Sequence, residues 1–146
     1  MSELHFRPIK GRAREILHAI LQTPEVSSCG RKDVLLLRLA CEEIVMNITS
    51  YAYPNVVIPA PDEGTDYLDV EITKTDDRIV ILFKDGGVPF NPLERKKPDI
   101  SQSWKLRPIG GLGIYLVTKK MDAIHYAYED NKNVLTIEKG IMKNEK

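Results

Sequence analysis

The order of apolar periodicities predicts an α+β fold, a two-layer α/β sandwich with helices covering one face of a sheet. Three observations carry this. One long segment with helical spacing, residues 31–52, lies between an alternating N-terminal stretch and later alternating segments. Those later segments come as two pairs, each joined by a short polar turn, which marks hairpins. A further helical stretch and a long irregular segment separate the pairs, giving the order β-α-α-β-β-loop-α-β-β. At 146 residues the chain reads as a single domain, 1–146. Such a length buries roughly 70% of its unfolded surface.

Taken in order, residues 4–9 alternate Leu4, Phe6 and Pro8 against His5 and Arg7, as in a short edge strand that tolerates proline. Ala13, Ile16, Leu17, Ile20 and Leu21 form one stripe and predict a helix over 12–21, stopped at Thr23-Pro24. From Arg31 to Ala52, apolar residues from Val34 through Ile48 surround much of the circumference, predicting a central, heavily buried helix ended by Tyr53-Pro54-Asn55. Residues 67–73 and 78–84 alternate around Thr75-Asp76-Asp77. Residues 90–108 hold three prolines and many charges, and a loop of that length in a small domain reads as a functional lid, about 91–110. A helix over 112–121 and a hairpin of 125–129 with 134–139 around Asp130-Asn131-Lys132-Asn133 complete the chain.

Composition narrows the function. The 21 basic and 21 acidic residues balance, which argues against nucleic acid as a direct partner. Apolar runs such as 34–37 and 79–83 fall far short of the roughly 18 residues of a membrane span. The start shows no secretory pattern. Cys29 and Cys41 have neither zinc-ligand nor CxxC spacing and read as thiols of a cytoplasmic protein.

Three segments can carry chemistry. Glu43 and Asn47 stand four apart, about 40° around a helix, so a carboxylate and an amide share one face. The carboxylate can accept a proton or orient a hydroxyl, and the amide oxygen is a hard donor suited to Mg2+. Asp85-Gly86-Gly87-Val88-Pro89-Phe90 follows an apolar strand; a carboxylate there, beside glycines that admit close approach, suits an exocyclic amine such as adenine N6. Gly110-Gly111-Leu112-Gly113 runs into a helix, whose N-terminal N–H groups suit phosphate, although neither GxGxxG nor a P-loop is present. Each segment alone also fits an ordinary reading: a solvent-facing pair, an Asp-Gly turn, a loop-to-helix junction. Together, with basic Arg95-Lys96-Lys97, Lys105 and Arg107 between the second and third, they argue for one nucleotide site.

Wording and order resemble the GHKL (Bergerat-fold) ATP-binding proteins, and within them the stand-alone serine kinases that act as anti-sigma factors. The resemblance runs from about Leu35 to Lys139. It rests on Glu42-Glu43-Ile44-Val45-Met46-Asn47 with Tyr51-Ala52-Tyr53-Pro54, on Asp85-Gly86-Gly87-Val88-Pro89-Phe90-Asn91-Pro92, and on Arg107-Pro108-Ile109-Gly110-Gly111-Leu112-Gly113, with Asn133-Val134-Leu135 near the end. It implies a mixed, mostly antiparallel sheet and an ATP- and Mg2+-dependent protein serine/threonine kinase. Glu43 would be the general base or hydroxyl-orienting residue, Asn47 the Mg2+ ligand and Asp85 the adenine reader, with Gly87 shaping the pocket. Gly110, Gly111 and Gly113 would wrap the phosphates, and Lys105 or Arg107 would neutralise the γ-phosphate. The implied partners are a small antagonist protein as phosphoacceptor, a sequestered sigma factor or similar regulator, and a second copy of the chain, with no membrane involved. Tyr51 stands where the family often has His, and a Gly-Thr pair common near the last hairpin is replaced by Asn131-Lys132-Asn133. The alternative function is an ATP-binding interaction module without turnover. A detached histidine-kinase catalytic domain ranks lower, because His5, His18 and His125 are isolated and neither residues 1–30 nor the tail read as a helical dimerisation and phosphoacceptor region.

Overall fold

In the computed structural model, residues 1–7, 9–54, 66–94 and 111–141 are described. The elements are β1 (Ser2–Phe6), α1 (Ala13–Leu21), α2 (Pro24–Ser27), α3 (Arg31–Tyr51), β2 (Leu68–Lys74), β3 (Arg78–Asp85), α4 (Gly111–Lys120), β4 (Ala123–Glu129) and β5 (Lys132–Gly140), with a 3-10 turn at Pro92–Glu94. Proline both ends α1 and starts α2. Thr23 is extended (φ −64°, ψ 148°), as a residue before proline must be, and Pro24 occupies the first helical position, where its missing N–H costs nothing.

The sheet order is β1-β2-β3-β5-β4, and every described ladder is antiparallel. The mixed sheet expected from the resemblance would need a parallel neighbour pair. The β3-α4-β4 crossover supplies two parallel strands, but β5 folds back between them and pairs antiparallel with both. The two-layer α/β sandwich is therefore as expected, with its sheet antiparallel throughout the described residues. Alternation decides which face is buried. In β3, Ile79, Ile81, Phe83 and Asp85 point to the helical layer while Val80, Leu82 and Lys84 stay half-exposed on the other face. Val70 and Ile72 of β2 and Leu135 and Ile137 of β5 extend the buried face. Ile16 and Ile20 of α1, Leu37, Ile44 and Val45 of α3 and Val117 of α4 close over it as one core. Cys41 lies within that core, and burial pushes its thiol up to about 12.

Two further expectations change. The central helix is buried along one stripe rather than around its circumference: Leu35 and Leu39 are each 54% exposed and Met46 47%. One layer of helices on one face of a sheet leaves each helix an outer side, so apolar residues there remain uncovered. The last hairpin turns on two residues, not four. Asp130 (φ 53°) and Asn131 (φ 62°) both adopt the left-handed conformation that a tight hairpin matched to strand twist requires. Lys132 and Asn133 therefore belong to β5, and Asn133 pairs directly with Asp85 across the ladder.

Candidate nucleotide site

A cavity opens where α3 ends against the sheet. Ile44, Asn47, Ile48 and Ala52 form the helical wall, and Phe83, Asp85, Asn133 and Leu135 form the sheet wall. Phe90, Pro92, Ile114 of α4 and Tyr126 of β4 close the sides. The lining is apolar except for Asp85, Asn133, Asn47 and the Tyr126 hydroxyl, the pattern of a small-molecule site in which a few polar groups set orientation. Its volume as the walls stand is about 30 Å3. Phe90, stacked on Tyr51 with ring centroids 5.8 Å apart, is one of these walls.

Asp85, 3% exposed, ends β3 at the base of this cavity. Its Oδ1 accepts the Gly87 N–H at 2.9 Å and Asn133 Nδ2 at 3.0 Å. Burial pushes its carboxyl above the ordinary range, and the two donors, Asn133 first, act in the opposite direction by favouring the charged form. The glycines after it are explained by contact. A Cβ on Gly87 would lie 2.2 Å from the Ala52 carbonyl oxygen, because the loop is drawn onto the end of α3 by the Val88 N–H donating to that same oxygen at 2.8 Å.

Tyr53 fixes the same loop from behind. Its hydroxyl donates to the Tyr67 carbonyl at 2.9 Å and accepts the N–H groups of Gly86 (2.8 Å) and Tyr67 (3.2 Å). Burial pushes this phenol up to about 12, so it remains a neutral donor at any physiological pH. One side chain thus ties the end of α3 to the start of β2 and the end of β3.

On α3, Glu43 and Asn47 lie one turn apart as their spacing requires, and Asn47 is 7% exposed. Nδ2 of Asn47 is buried with no hydrogen-bond partner among the described residues. Such an orphan costs roughly 1–3 kcal/mol, and a buried polar group left unsatisfied calls for an explanation such as an absent ion or ligand. An amide can turn its oxygen to the same place, so the position fits a hard cation or a polar ligand group. Among the described residues no cluster of three or more His, Cys, Asp or Glu side chains could hold a metal by itself. A single amide donor fits Mg2+, which keeps most of its waters and borrows phosphate oxygens. The described helices include none long and apolar enough to cross a membrane.

Helix α4 begins at Gly111, so Gly111 and Gly113 sit in its first turn, where backbone N–H groups lack helical partners. Ile114, in the next position, lines the cavity, which brings the positive end of this helix to its edge. Gly110, Lys105, Arg107 and Trp104, with most of the 91–110 lid, lie outside the described residues. The structure thus gathers Asn47, Asp85 and the start of α4 around one cavity, with Gly87 next to it on the loop that Asp85 begins. Glu43 lies one turn before Asn47 on α3, its Oε1 buried. Tyr53 and Asn133 are the residues around the site to which sequence reasoning gave no role. Both stand in motifs quoted for the resemblance, and Asn133 is also read there as a turn residue because four polar residues run together at 130–133.

Comparison with known proteins agrees with this fold. Residues 7–139 match the family described as "Histidine kinase-like ATPase domain". The serine-protein kinase RsbW of Bacillus thuringiensis subsp. konkukian (strain 97-27) is 31% identical over 107 residues, covering 70% of this chain and 62% of the relative. That of Bacillus mycoides (strain KBAB4) is 28% identical over 103 residues, covering 68% and 59%. That of Listeria monocytogenes serovar 1/2a (strain ATCC BAA-679 / EGD-e) is 25% identical over 103 residues, covering 68% and 61%. The match thus spans about three fifths of the length of these curated relatives.

Proposed function

The chain belongs to the histidine kinase-like ATPase domain family, and we propose that within it the protein is an ATP- and Mg2+-dependent serine/threonine kinase of the anti-sigma-factor type. It phosphorylates a small antagonist protein and, when free of it, sequesters a sigma factor or similar regulator, acting as a homodimer. The name of the relatives, serine-protein kinase RsbW, supports a serine as acceptor. The observation that carries the reading is that Asn47 of α3 and Asp85 of β3 line one cavity, with Glu43 one turn before Asn47 on the helix, outside that lining.

In this reading Asp85 accepts a hydrogen bond from the exocyclic amine of adenine, and the apolar walls at Ile44, Ile48 and Phe83 take the ring faces. The first-turn N–H groups of α4, including those of Gly111 and Gly113, hold phosphate oxygens. Lys105 and Arg107 counter the γ-phosphate charge from the lid. Asn47 directs its amide oxygen to the cation, and bound Mg2+ supplies charge neutralisation on the phosphates. Glu43 accepts the proton of the acceptor hydroxyl. Little covalent work falls to the protein, so holding the groups in line is most of the catalysis.

Glu43→Ala tests the assignment. ATP binding measured by calorimetry stays near wild type, while γ-phosphate transfer to an antagonist-type protein encoded beside the chain falls by about 100-fold or more. Loss of ATP binding as severe as in Asp85→Ala removes Glu43 from the base role. ATP binding by wild type without transfer to any such protein supports the interaction module instead.

A further inference from the structure

Asn133 has every hydrogen-bonding group engaged on the loop that carries Asp85. Nδ2 donates to Asp85 Oδ1 at 3.0 Å and to the Val88 carbonyl at 2.9 Å, with the Gly87 carbonyl at 3.4 Å. Its Oδ1 accepts the Phe90 N–H at 3.0 Å and the Tyr126 hydroxyl. An amide has two hydrogens and one oxygen to offer, and all are used. Asn133 therefore has no donor left for a ligand, although it is 5% exposed and lines the cavity.

The geometry points to Asn133 as a positioning residue for base selectivity: it fixes Asp85 so that one carboxylate oxygen is consumed and the other faces a base as a pure acceptor. This rests on the nucleotide reading of the cavity and deepens it. The two residues are directly opposed in the β3–β5 ladder, so the contact is set by register rather than by a flexible reach. Both bonds recorded on Asp85 fall on Oδ1, shared between Asn133 and the Gly87 N–H. Among the described residues nothing donates to Oδ2, and that oxygen is the one left for a 6-amino purine. A 6-oxo purine would set its carbonyl oxygen against the same acceptor. If Asp85 could turn away from the base or take up a proton, it would no longer hold a fixed, pure acceptor there and the discrimination would fade.

The bonds on Asn133 have a second effect. Val88 and Phe90 are held through their backbone, so the amide also sets the path of the loop that walls the cavity. A purely structural role would end there, and its loss would weaken all purine nucleotides alike.

The test is the ratio of dissociation constants for ATP and ITP, measured by calorimetry on wild type, Asn133→Asp and Asn133→Ala. Asn133→Asp keeps the size and keeps an acceptor for Phe90 and Tyr126, but replaces the donor to Asp85 with an oxygen that repels it. The expected result is a wild-type preference for ATP that falls by about tenfold or more in Asn133→Asp, with a smaller fall in Asn133→Ala. Equal proportional weakening of ATP and ITP in both variants overturns the assignment and leaves Asn133 structural. Melting of the nucleotide-free proteins identifies a variant that fails to fold, in which case the other variant decides. Wild-type protein that binds both nucleotides without preference overturns the inference while keeping the nucleotide site. Wild-type protein that binds neither overturns the nucleotide reading, and this inference with it.

Discussion

Replacing Gly87 with alanine tests how the Asp85 loop is seated. The new Cβ would meet the Ala52 carbonyl oxygen at 2.2 Å, its carbonyl carbon at 2.6 Å and its Cβ at 2.7 Å. Two of these atoms are backbone at the end of α3, so relief requires moving the loop off the helix. That movement breaks the Val88 N–H bond to Ala52, worth about 1 kcal/mol. Overpacking of this kind adds roughly 1–3 kcal/mol. Together the change costs about 2–4 kcal/mol, a fall in melting temperature of roughly 5–15 °C for a domain of this size. Gly86→Ala is the internal control. Its Cβ would meet only the outer edge of the Tyr67 ring, Cε1 at 2.8 Å and the hydroxyl at 3.0 Å, and a side chain can swing aside. Melting followed by circular dichroism, with ATP calorimetry alongside, should show Gly87→Ala strongly destabilised and Gly86→Ala much less so. Gly87→Ala melting within about 2 °C of wild type and binding ATP normally would refute the claim that close backbone approach sets this glycine.

Other perturbations follow from the same contacts. Tyr53→Phe strands the Tyr67 carbonyl and the Tyr67 and Gly86 N–H groups; the cost is about 1–3 kcal/mol, and equal melting of the two proteins would contradict it. Asp85→Asn keeps an acceptor for Asn133 and Gly87 while removing a buried charge. The folded-state pKa of Asp85 is raised, so the folded chain holds that proton more tightly, and its stabilising effect is lost as pH rises from the ordinary carboxylate range through the folded value. Asp85→Asn therefore melts above wild type at pH 7, the gap narrows towards pH 4, and ATP binding is lost. A variant less stable than wild type at pH 7 would count against a burial cost at Asp85. The Cys41 thiol, buried and pushed up to about 12, should resist a thiol reagent at pH 8 until the protein unfolds. Its rapid labelling in the folded protein would contradict the core placement.

Where periodicity was strong, the elements were legible in the sequence. The stripe on α1, the alternation of β3 and the Pro24 stop all reflect local physics that tertiary structure did not override. Asp85 and Asn47 were legible because a carboxylate beside glycines and an amide on an apolar helix are conspicuous by residue type. Asn133 was not, because its role depends on the β3–β5 register, and nothing within residues 130–133 says which of four polar residues turn. Two left-handed residues, Asp130 and Asn131, suffice for the turn, and that places Asn133 opposite Asp85. The exposed side of α3 escaped for a related reason. Its apolar residues encircle the helix in sequence, and only the single-layer architecture shows that Leu35, Leu39 and Met46 lie outside. The sheet's all-antiparallel pairing likewise depends on where β5 inserts, a non-local choice.

The account stands on the cavity between α3 and Asp85 being a nucleotide site. Titration of ATP into wild type and Asp85→Ala by calorimetry, with and without Mg2+, tests this most directly. At about 100 times its dissociation constant ATP adds roughly 2.7 kcal/mol to the folded state, which also registers as a rise in melting temperature of several degrees. The account predicts Mg2+-dependent binding to wild type and none to Asp85→Ala. Equal binding by both proteins, or none to wild type at millimolar ATP, would contradict it.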